Sequence, residues 1–294
     1  MTTSLVAKVK SRMFIVAHRR ARTMLDGEYG SVFRGRSLDF DDLRAYTAGD
    51  EVRDIDWKAS ARYGSPLVKR YAAVRRQTVL LVVDTGRNMA AVSRGGDAKK
   101  DVAVMALGVL GYLAHRHGDH IALVSGDAES SSSLPPRGGE AHLEVLLRRV
   151  DGAVAPDGGR SDLTAQLAHV AKTVAQRTLL VVVADEAALD DEDEALIRRL
   201  AAQHEILWLT VRDAELAGPD APRRSYDVAD GGVLLSLLAD AGDVLADYRR
   251  LVEERNARRE ALLTRLGIVE GHVDSVDGVL PAIFRLLERH RRGR

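Results

Sequence analysis

The chain of 294 residues contains no cysteine and only 4% aromatic residues, and each shortage narrows what the protein can be. Without cysteine there is no disulfide framework and no thiolate zinc site, and a reducing compartment fits this composition. No window of about 18 uncharged apolar residues occurs, so we expect no transmembrane helix. Charged residues also interrupt the N-terminal stretch where a secretory signal would need an apolar core, so we expect a cytoplasmic protein.

Net charge is also absent. Lys and Arg total 43, Asp and Glu total 43, and the formal charge is zero. Nothing global therefore favours nucleic acid or an anionic membrane, and we expect no nucleic-acid partner. The remaining composition, 46% hydrophobic and 29% charged, is that of a globular protein long enough to bury a large core.

The first residues follow a basic helical pattern. One face of a helix in this region would carry the apolar residues Leu5, Val9, Met13 and Val16. Such a basic amphipathic helix either packs on its own domain with its charges solvated, or touches a surface such as a membrane. The first arrangement is the more common one, and peripheral membrane contact is the alternative.

Continuous aliphatic runs, without polar alternation, dominate the middle of the chain. These runs cover residues 79–83, 121–124, 179–183 and 206–211. A strand that is covered on both faces needs this continuous pattern, and apolar spacing of three and four between the runs predicts helices. The alternation predicts the α/β class, with an open, mostly parallel sheet and helices on both faces.

The helical patterns and the two ends of the chain complete the organisation. Helices are predicted over residues 97–117, 140–150, 162–176 and 190–202, and a helix, a strand and a last helix over residues 240–266, 268–274 and 279–290. Serines 130–133 and two following prolines indicate an excursion at the sheet edge. We divide the chain into an N-terminal segment, 1–76, packed on a main domain, 77–294.

Oxygen-bearing side chains follow two of the predicted strands and one loop. Asp84 ends the first strand, Asn88 follows it, Asp185 follows the 179–183 strand, and Ser161 precedes a helix. Ligands of open parallel sheets bind at the carboxyl ends of the strands. Carboxylate, hydroxyl and amide oxygens suit a hard cation such as Mg²⁺. The alternative is that the two carboxylates only cap loops and helices.

This arrangement resembles the von Willebrand factor A fold with its metal-ion-dependent adhesion site. The family pattern is Asp-x-Ser-x-Ser after the first strand, a Thr in a later loop and an Asp after the fourth strand. Asp84 and Asp185 match the two aspartates, and Ser161 stands where the Thr belongs. Gly86 and Asn88 replace the two serines, so the resemblance implies a degenerate site with weak or absent Mg²⁺ binding.

A second constellation precedes the first core strand and is dense in pairable charge. Its characteristic residues are Arg44, Tyr46, Asp50, Arg53, Asp56, Trp57 and Arg62. Arginine forks can bind carboxylates bidentately and so order a segment that has little regular structure. The segment 27–76 is therefore either a scaffold or a docking surface, and the near balance of Arg and Asp favours the scaffold.

This block resembles the signature of the bacterial family called domain of unknown function 58. Members share R-x-Y-x-x-G-D-x-x-R-x-I-D-W-x-x-x-A-R upstream of a von Willebrand A-like domain, and every fixed position is present between Arg44 and Arg62. Many relatives carry two N-terminal membrane helices, so this chain is expected in the shorter soluble branch. The family often occurs beside a MoxR-type AAA+ ATPase, which implies that ATPase or its client as partner.

Enzyme signatures are missing, and the remaining histidine cluster is unpromising. The chain has no phosphate-binding Gly-rich loop, no H-E-x-x-H and no G-x-S-x-G. His115, His117 and His120 straddle a helix end, so we expect them not to converge on zinc. Three hypotheses remain: a non-enzymatic interaction protein with a degenerate adhesion-type site, a metal-free structural adaptor that docks through residues 27–76, and a metal-dependent hydrolase.

Overall fold

The computed structural model describes most of the chain. The described residues are 4–16, 25, 27, 29–30, 42–47, 50, 52, 55–70, 77–186, 188–215, 224–229, 233–235 and 242–293. They form two compact units: residues 1–32 with 77–294, here the α/β unit, and residues 33–76, here the signature unit. The sequence predicts a single boundary, at residue 76. The units have a second boundary, near residue 32.

Burial explains why the first residues belong to the α/β unit. Tyr29 is completely buried, and its hydroxyl donates a hydrogen bond of 3.2 Å to Asp119. The first helix, α1 (Leu5–Val16), buries Val6, Val9 and Met13. Val9 and Met13 of the predicted apolar face therefore pack inside the same unit, and peripheral membrane contact through this helix stays a prediction. No described helix combines the length and apolarity needed to cross a bilayer.

The α/β unit is built on one six-stranded sheet. Its strands are β3 (Thr78–Asp84), β4 (His120–Gly126), β5 (Ser131–Arg137), β6 (Leu179–Ala184), β7 (Glu205–Val211) and β10 (Val269–Val273). They lie in the order β10-β7-β6-β3-β4-β5, and all neighbours are parallel except β4 and β5. The predicted α/β class with an open, mostly parallel sheet is confirmed.

Helices cover both faces of this sheet, as the continuous aliphatic strands require. One face packs against α5 (Leu163–Thr173), α6 (Asp191–Gln203) and α7 (Gly242–Arg265), around a core that includes Val82, Val182 and Trp208. The other face packs against α3 (Lys99–Arg116), α4 (Glu140–Ala153) and α8 (Val279–Arg292). Helix α1 lies on α3 and α4.

Helix ends follow ordinary capping chemistry. Asp190 begins α6 with a capping box, in which its carboxylate accepts from the N–H groups of Glu192 and Asp193. Glu144 on α4 accepts from the N–H groups of Leu5 and Val6 and so caps α1. The long-range cap by Glu144 is one reason why the N-terminal helix has a fixed place in the unit.

The signature unit is small and described separately. Strand β1 (Asp42–Ala45) pairs antiparallel with β2 (Leu67–Arg70), and helix α2 (Trp57–Tyr63) lies between them in sequence. A further short pair, β8 (Arg224–Tyr226) and β9 (Val233–Leu235), belongs to the α/β unit and was not predicted. Its strands are only three residues long, too short for a hydrophobic pattern to identify.

Candidate functional site

The sheet topology places two predicted site residues at adjacent strand ends. From β3 the chain continues to β4 on one side, whereas β6 continues to β7 on the other. The crevice between β3 and β6 is therefore the topological switch point, where open α/β sheets bind their ligands. Asp84 is the last residue of β3, and Asp185 directly follows β6. We call these strand ends and the loops that meet there the switch-point site.

Asp84 is a buried carboxylate with defined partners. The Gly86 N–H donates to its Oδ1 over 2.8 Å, and the Ser161 hydroxyl and the Asp162 N–H also donate to it. Burial raises the pKa of Asp84 to about 6, against these hydrogen bonds, and the charge of Asp185 adds to the increase. The two predicted aspartates thus interact electrostatically.

Two loops meet closely beside Asp84. The Asn88 N–H donates to Ser161 Oγ over 3.2 Å, and the Arg87 N–H donates to the Gly159 carbonyl over 2.9 Å. A Cβ atom on Gly86 would lie 2.4 Å from Ser161 Cα, so the loop leaves no room for a side chain there. The packing of the two loops therefore requires a glycine at position 86, in addition to the loss of the serine ligand that the family pattern has there.

A buried lysine, which the sequence analysis missed, reaches the same place. Lys99 is 1% exposed, and its Nζ forms an ion pair with Asp213 and lies 3.9 Å from Asp185 Oδ2. Asp213 follows the end of β7, the strand next to β6. Glu186 Oε2 in turn accepts from the Asp213 N–H over 3.0 Å. The switch-point site thus contains its own positive charge.

The sequence did contain a signal for this lysine. Lys99 is the first residue of α3, where the helix dipole disfavours a cation, and the rest of that helix is largely apolar. A lysine at such a position needs a negative partner. Asp213, two residues after the aliphatic run that forms β7, is that partner.

The residues present do not complete a divalent cation site of the adhesion type. Gly86 contributes no ligand and has no space for one, and Asn88 reaches Ser161 through its backbone. The Lys99 ammonium stands beside Asp185, where a second cation would be repelled. Among the described residues no three His, Cys, Asp or Glu side chains are grouped to hold a metal. The magnesium expectation stays a prediction.

The signature unit shows how its block is ordered. The Arg44 guanidinium binds Asp50 bidentately, with distances of 2.7 and 2.5 Å, and the Thr47 N–H also donates to Asp50. The Arg44 hydrogen bonds lower the pKa of Asp50 to about 2. Asp56 caps α2 by accepting from the N–H groups of Lys58 and Ala59. These polar residues act inside the unit.

The described aromatic residues of the signature unit face outward. Trp57 is 65% exposed, Tyr63 is 78% exposed, and Tyr46 is exposed as well. Arg62, also exposed, is on α2 with Trp57 and Tyr63. Arg53 lies outside the described residues. The block therefore divides into residues that build the unit and residues that the unit presents.

The three histidines considered for zinc lie around the end of α3 and the start of β4. His115 Nε2 is 4.0 Å from a carboxylate oxygen of Glu140, whereas His117 stacks against the Tyr29 ring with centroids 4.9 Å apart. His120 belongs to β4. His117 and His120 both act electrostatically on Asp119, and the absence of a shared metal stays a prediction.

Fold and sequence thus define a class of α/β proteins. In this class, a block ordered by Arg and Asp side chains precedes the first core strand. The family described as protein of unknown function DUF58 matches residues 42–256. The chain belongs to this family, as predicted from the Arg44–Arg62 block.

Relatives and similar structures are distant. Uncharacterized proteins of Mycobacterium tuberculosis and Mycobacterium bovis are 29% identical over 224 residues, which cover 74% of this chain and 68% of theirs. The structure of an aerotolerance-related membrane protein from Bacteroides fragilis is similar with a TM-score of 0.43 and 13% identity, over 72% of this chain and 99% of that one. A von Willebrand factor type A protein from Catenulispora acidiphila has a TM-score of 0.38 and 10% identity, over 76% and 44%.

Proposed function

We propose that this protein is a non-enzymatic interaction or adaptor protein that docks a partner through the signature unit. The observation that carries the proposal is the exposure of Trp57 and Tyr63, 65% and 78%, on one short helix. Large aromatic side chains are enriched at the centres of protein interfaces and dominate their binding energy. Trp57 and Tyr63 are six residues apart and point to different sides of α2, so each is a candidate contact for a partner.

Scaffold and docking roles fall on different residues of the block. Asp50 and Asp56 are engaged by Arg44 and by backbone N–H groups, so they fix the local backbone. Removing the Trp57 side chain would leave those hydrogen bonds in place. The scaffold interpretation thus accounts for Arg44, Asp50 and Asp56, and the docking interpretation accounts for the exposed aromatic residues.

The partner that the family resemblance implies is a MoxR-type AAA+ ATPase or its client. Lys58 and Arg62 are exposed and four residues apart on α2, so they lie on the same side of that helix. This positive charge, on the helix that carries Trp57, is complementary to an acidic surface on a partner. The proposal therefore names an acidic patch of the ATPase as the first surface to test. Placement in the cytoplasm stays a prediction.

The switch-point site is a second candidate surface, favoured by its place in the sheet. Asp84 and Asp185 end adjacent strands there, and the Ser161 loop meets them. The first of the three hypotheses makes this surface the recognition face, with a partner that completes the coordination of a magnesium ion. Because the donor set is incomplete, the proposal does not use a metal. A hydrolase would instead turn over generic phosphoesters and lose that turnover in Asp185→Ala.

Binding measured by biolayer interferometry against the purified MoxR-type ATPase of the same organism tests the docking proposal. Trp57→Ala should weaken binding at least about 30-fold, the loss typical of a hot-spot residue. Its melting temperature should stay unchanged because the side chain is exposed. Leu251→Ala, which removes a side chain that is 59% exposed on α7, is the matched control and should bind normally.

Two outcomes would contradict the proposal. If Trp57→Ala and Tyr63→Ala both bind like the wild type, the aromatic surface is not the docking site. If the wild type shows no binding to the ATPase with or without nucleotide, the proposed partner is wrong.

A further inference from the structure

Lys99 is a charged group in an unfavourable place. Its ammonium is buried, and the side chain also starts at the N-terminus of α3, where the helix dipole repels a cation. Removing an ammonium from water costs several kcal/mol, and only well-placed negative partners offset this cost. The position of Lys99 therefore has to be explained by what its Nζ atom meets.

Carboxylates from two strand ends meet this ammonium. Asp213, after β7, forms the ion pair, and Asp185, after β6, lies 3.9 Å away. Asp185 in turn acts electrostatically on Asp84, at the end of β3. Lys99 thus supplies positive charge to a row of acidic residues along the carboxyl edge of three neighbouring strands.

The position of the lysine is fixed by its surroundings. The Lys99 N–H donates to the Ala91 carbonyl over 2.9 Å, in the segment that follows the Asp84 loop. Asp213 forms a bridge with Ser93 of the same segment, and its N–H donates to Glu186. Both members of the ion pair are therefore held by backbone contacts.

We infer that Lys99 is the resident cation of the switch-point site and takes the place of a divalent metal ion there. The ammonium pairs with Asp213 and lies beside Asp185, so it offsets one of their two negative charges, and it opposes the entry of Mg²⁺ next to Asp185. The site is consequently assembled without metal. This inference deepens the proposed function, because it makes the second recognition surface independent of metal. It rests on the proposed function only in taking the switch-point site as that surface.

Thermal unfolding and calorimetric titration with MgCl₂ and MnCl₂ in metal-free buffer test the inference, and neither needs a partner. The wild type should show no binding heat at millimolar metal and a melting temperature within about 1 °C of its value in EDTA. Lys99→Met should melt several degrees lower, because the buried carboxylate of Asp185 and the half-exposed carboxylate of Asp213 lose their cation. Millimolar Mn²⁺ should restore part of this loss by binding the carboxylates that have lost the ammonium.

Lys100→Met is the matched control. Lys100 is the next residue on α3 and pairs with Asp151 at the surface, so its removal should change neither melting nor metal response. If Lys99→Met does not fold, Lys99→Met combined with Asp213→Asn removes the ion pair as a unit and keeps Asp84 and Asp185. This double variant should gain Mn²⁺ binding.

Two results would overturn the inference. One is Mg²⁺ or Mn²⁺ binding by the wild type at millimolar concentration. The other is a folded Lys99 variant, single or double, that gains no metal response, because the ammonium would then not occupy the place of a cation. Neither result bears on ATPase binding, so this inference and the proposed function fail separately.

Discussion

At the switch-point site, the cost of burying charge determines which residues lie next to one another. Asp84 and Asp185 were predicted from strand ends, and the structure places them in electrostatic contact. Their neighbour Lys99 was not predicted, because its Nζ reaches the site from a helix that begins in another part of the sequence. The chain itself thus supplies both the negative and the positive side chains of the switch-point site.

Asp84→Asn should stabilise the protein at neutral and higher pH. The pKa of Asp84 in the folded protein, about 6, is above its ordinary value of 3.8, so folding favours the protonated form. That contribution is present at low pH and is lost as pH rises through 6. Above this pH, removing the charge should raise the free energy of unfolding by up to about 3 kcal/mol.

Urea denaturation at several pH values between about 4 and 8 measures this effect. The gain of Asp84→Asn over the wild type should shrink as the pH falls below 6 and the wild-type carboxyl becomes protonated. The exposed Asp157→Asn is the control and should stay within about 0.5 kcal/mol of the wild type throughout. A gain that is the same at every pH would contradict the charge explanation.

Among the structural elements, the approach of two loops decides what the site can hold. The loop after β3 and the loop before α5 are joined by hydrogen bonds from Arg87 and Asn88 to Gly159 and Ser161. Gly86 lies where they are closest. The family resemblance explains Gly86 as a missing ligand, whereas the packing explains why no larger residue fits.

Gly86→Ser, which would restore the family's first serine, should destabilise the protein. A Cβ would lie 2.4 and 2.5 Å from Ser161 Cα and N, and backbone atoms of a fixed loop cannot easily move. Overpacking of this kind costs typically 1–3 kcal/mol, roughly 2–10 °C in melting temperature.

Calorimetry or thermal fluorescence measures the Gly86→Ser effect. Gly152→Ala is the control, because no atom lies within 4 Å of a Cβ at that position in α4. It should be neutral or slightly stabilising. If Gly86→Ser keeps the wild-type melting temperature and gains Mg²⁺ binding, our explanation of Gly86 is wrong.

The whole molecule consists of two compact units of unequal core. The α/β unit buries continuous strands on both faces, including Leu81 and Val181, which are completely buried. In the described part of the signature unit, the buried apolar residues are Leu67 and Val68. Stability should therefore be distributed unevenly along the chain, because buried apolar area dominates it.

Hydrogen exchange followed by mass spectrometry should show this difference. Amides in α2 and β2 should exchange through openings that cost less free energy than those of β3 and β6, by several kcal/mol. Substituting Asp56→Ala should increase exchange in α2 further, since its N-cap contributes about 1 kcal/mol. The β3 amides serve as the internal control and should not change. Equal protection of both units would contradict the expected order.

Much of the fold followed from local pattern. The four aliphatic runs appear as β3, β4, β6 and β7 within two residues at each end, because a strand buried on both faces has a continuous apolar pattern that local sequence alone shows. Strand β5, with two prolines, was expected only as an edge excursion. It is the antiparallel edge strand, the place where a sheet tolerates proline.

By itself the sequence determined the α/β class, the positions of the core strands in the chain and, through the Arg44–Arg62 block, the family. Tertiary structure alone decided that Lys99 meets Asp213, that Ser161 fills the space beside Gly86, and that Trp57 faces outward. The physical reason is distance along the chain: Asn88 and Ser161 are 73 residues apart and meet only when the sheet forms. Local pattern carries the period of a strand or helix, but the sheet order decides which ends meet.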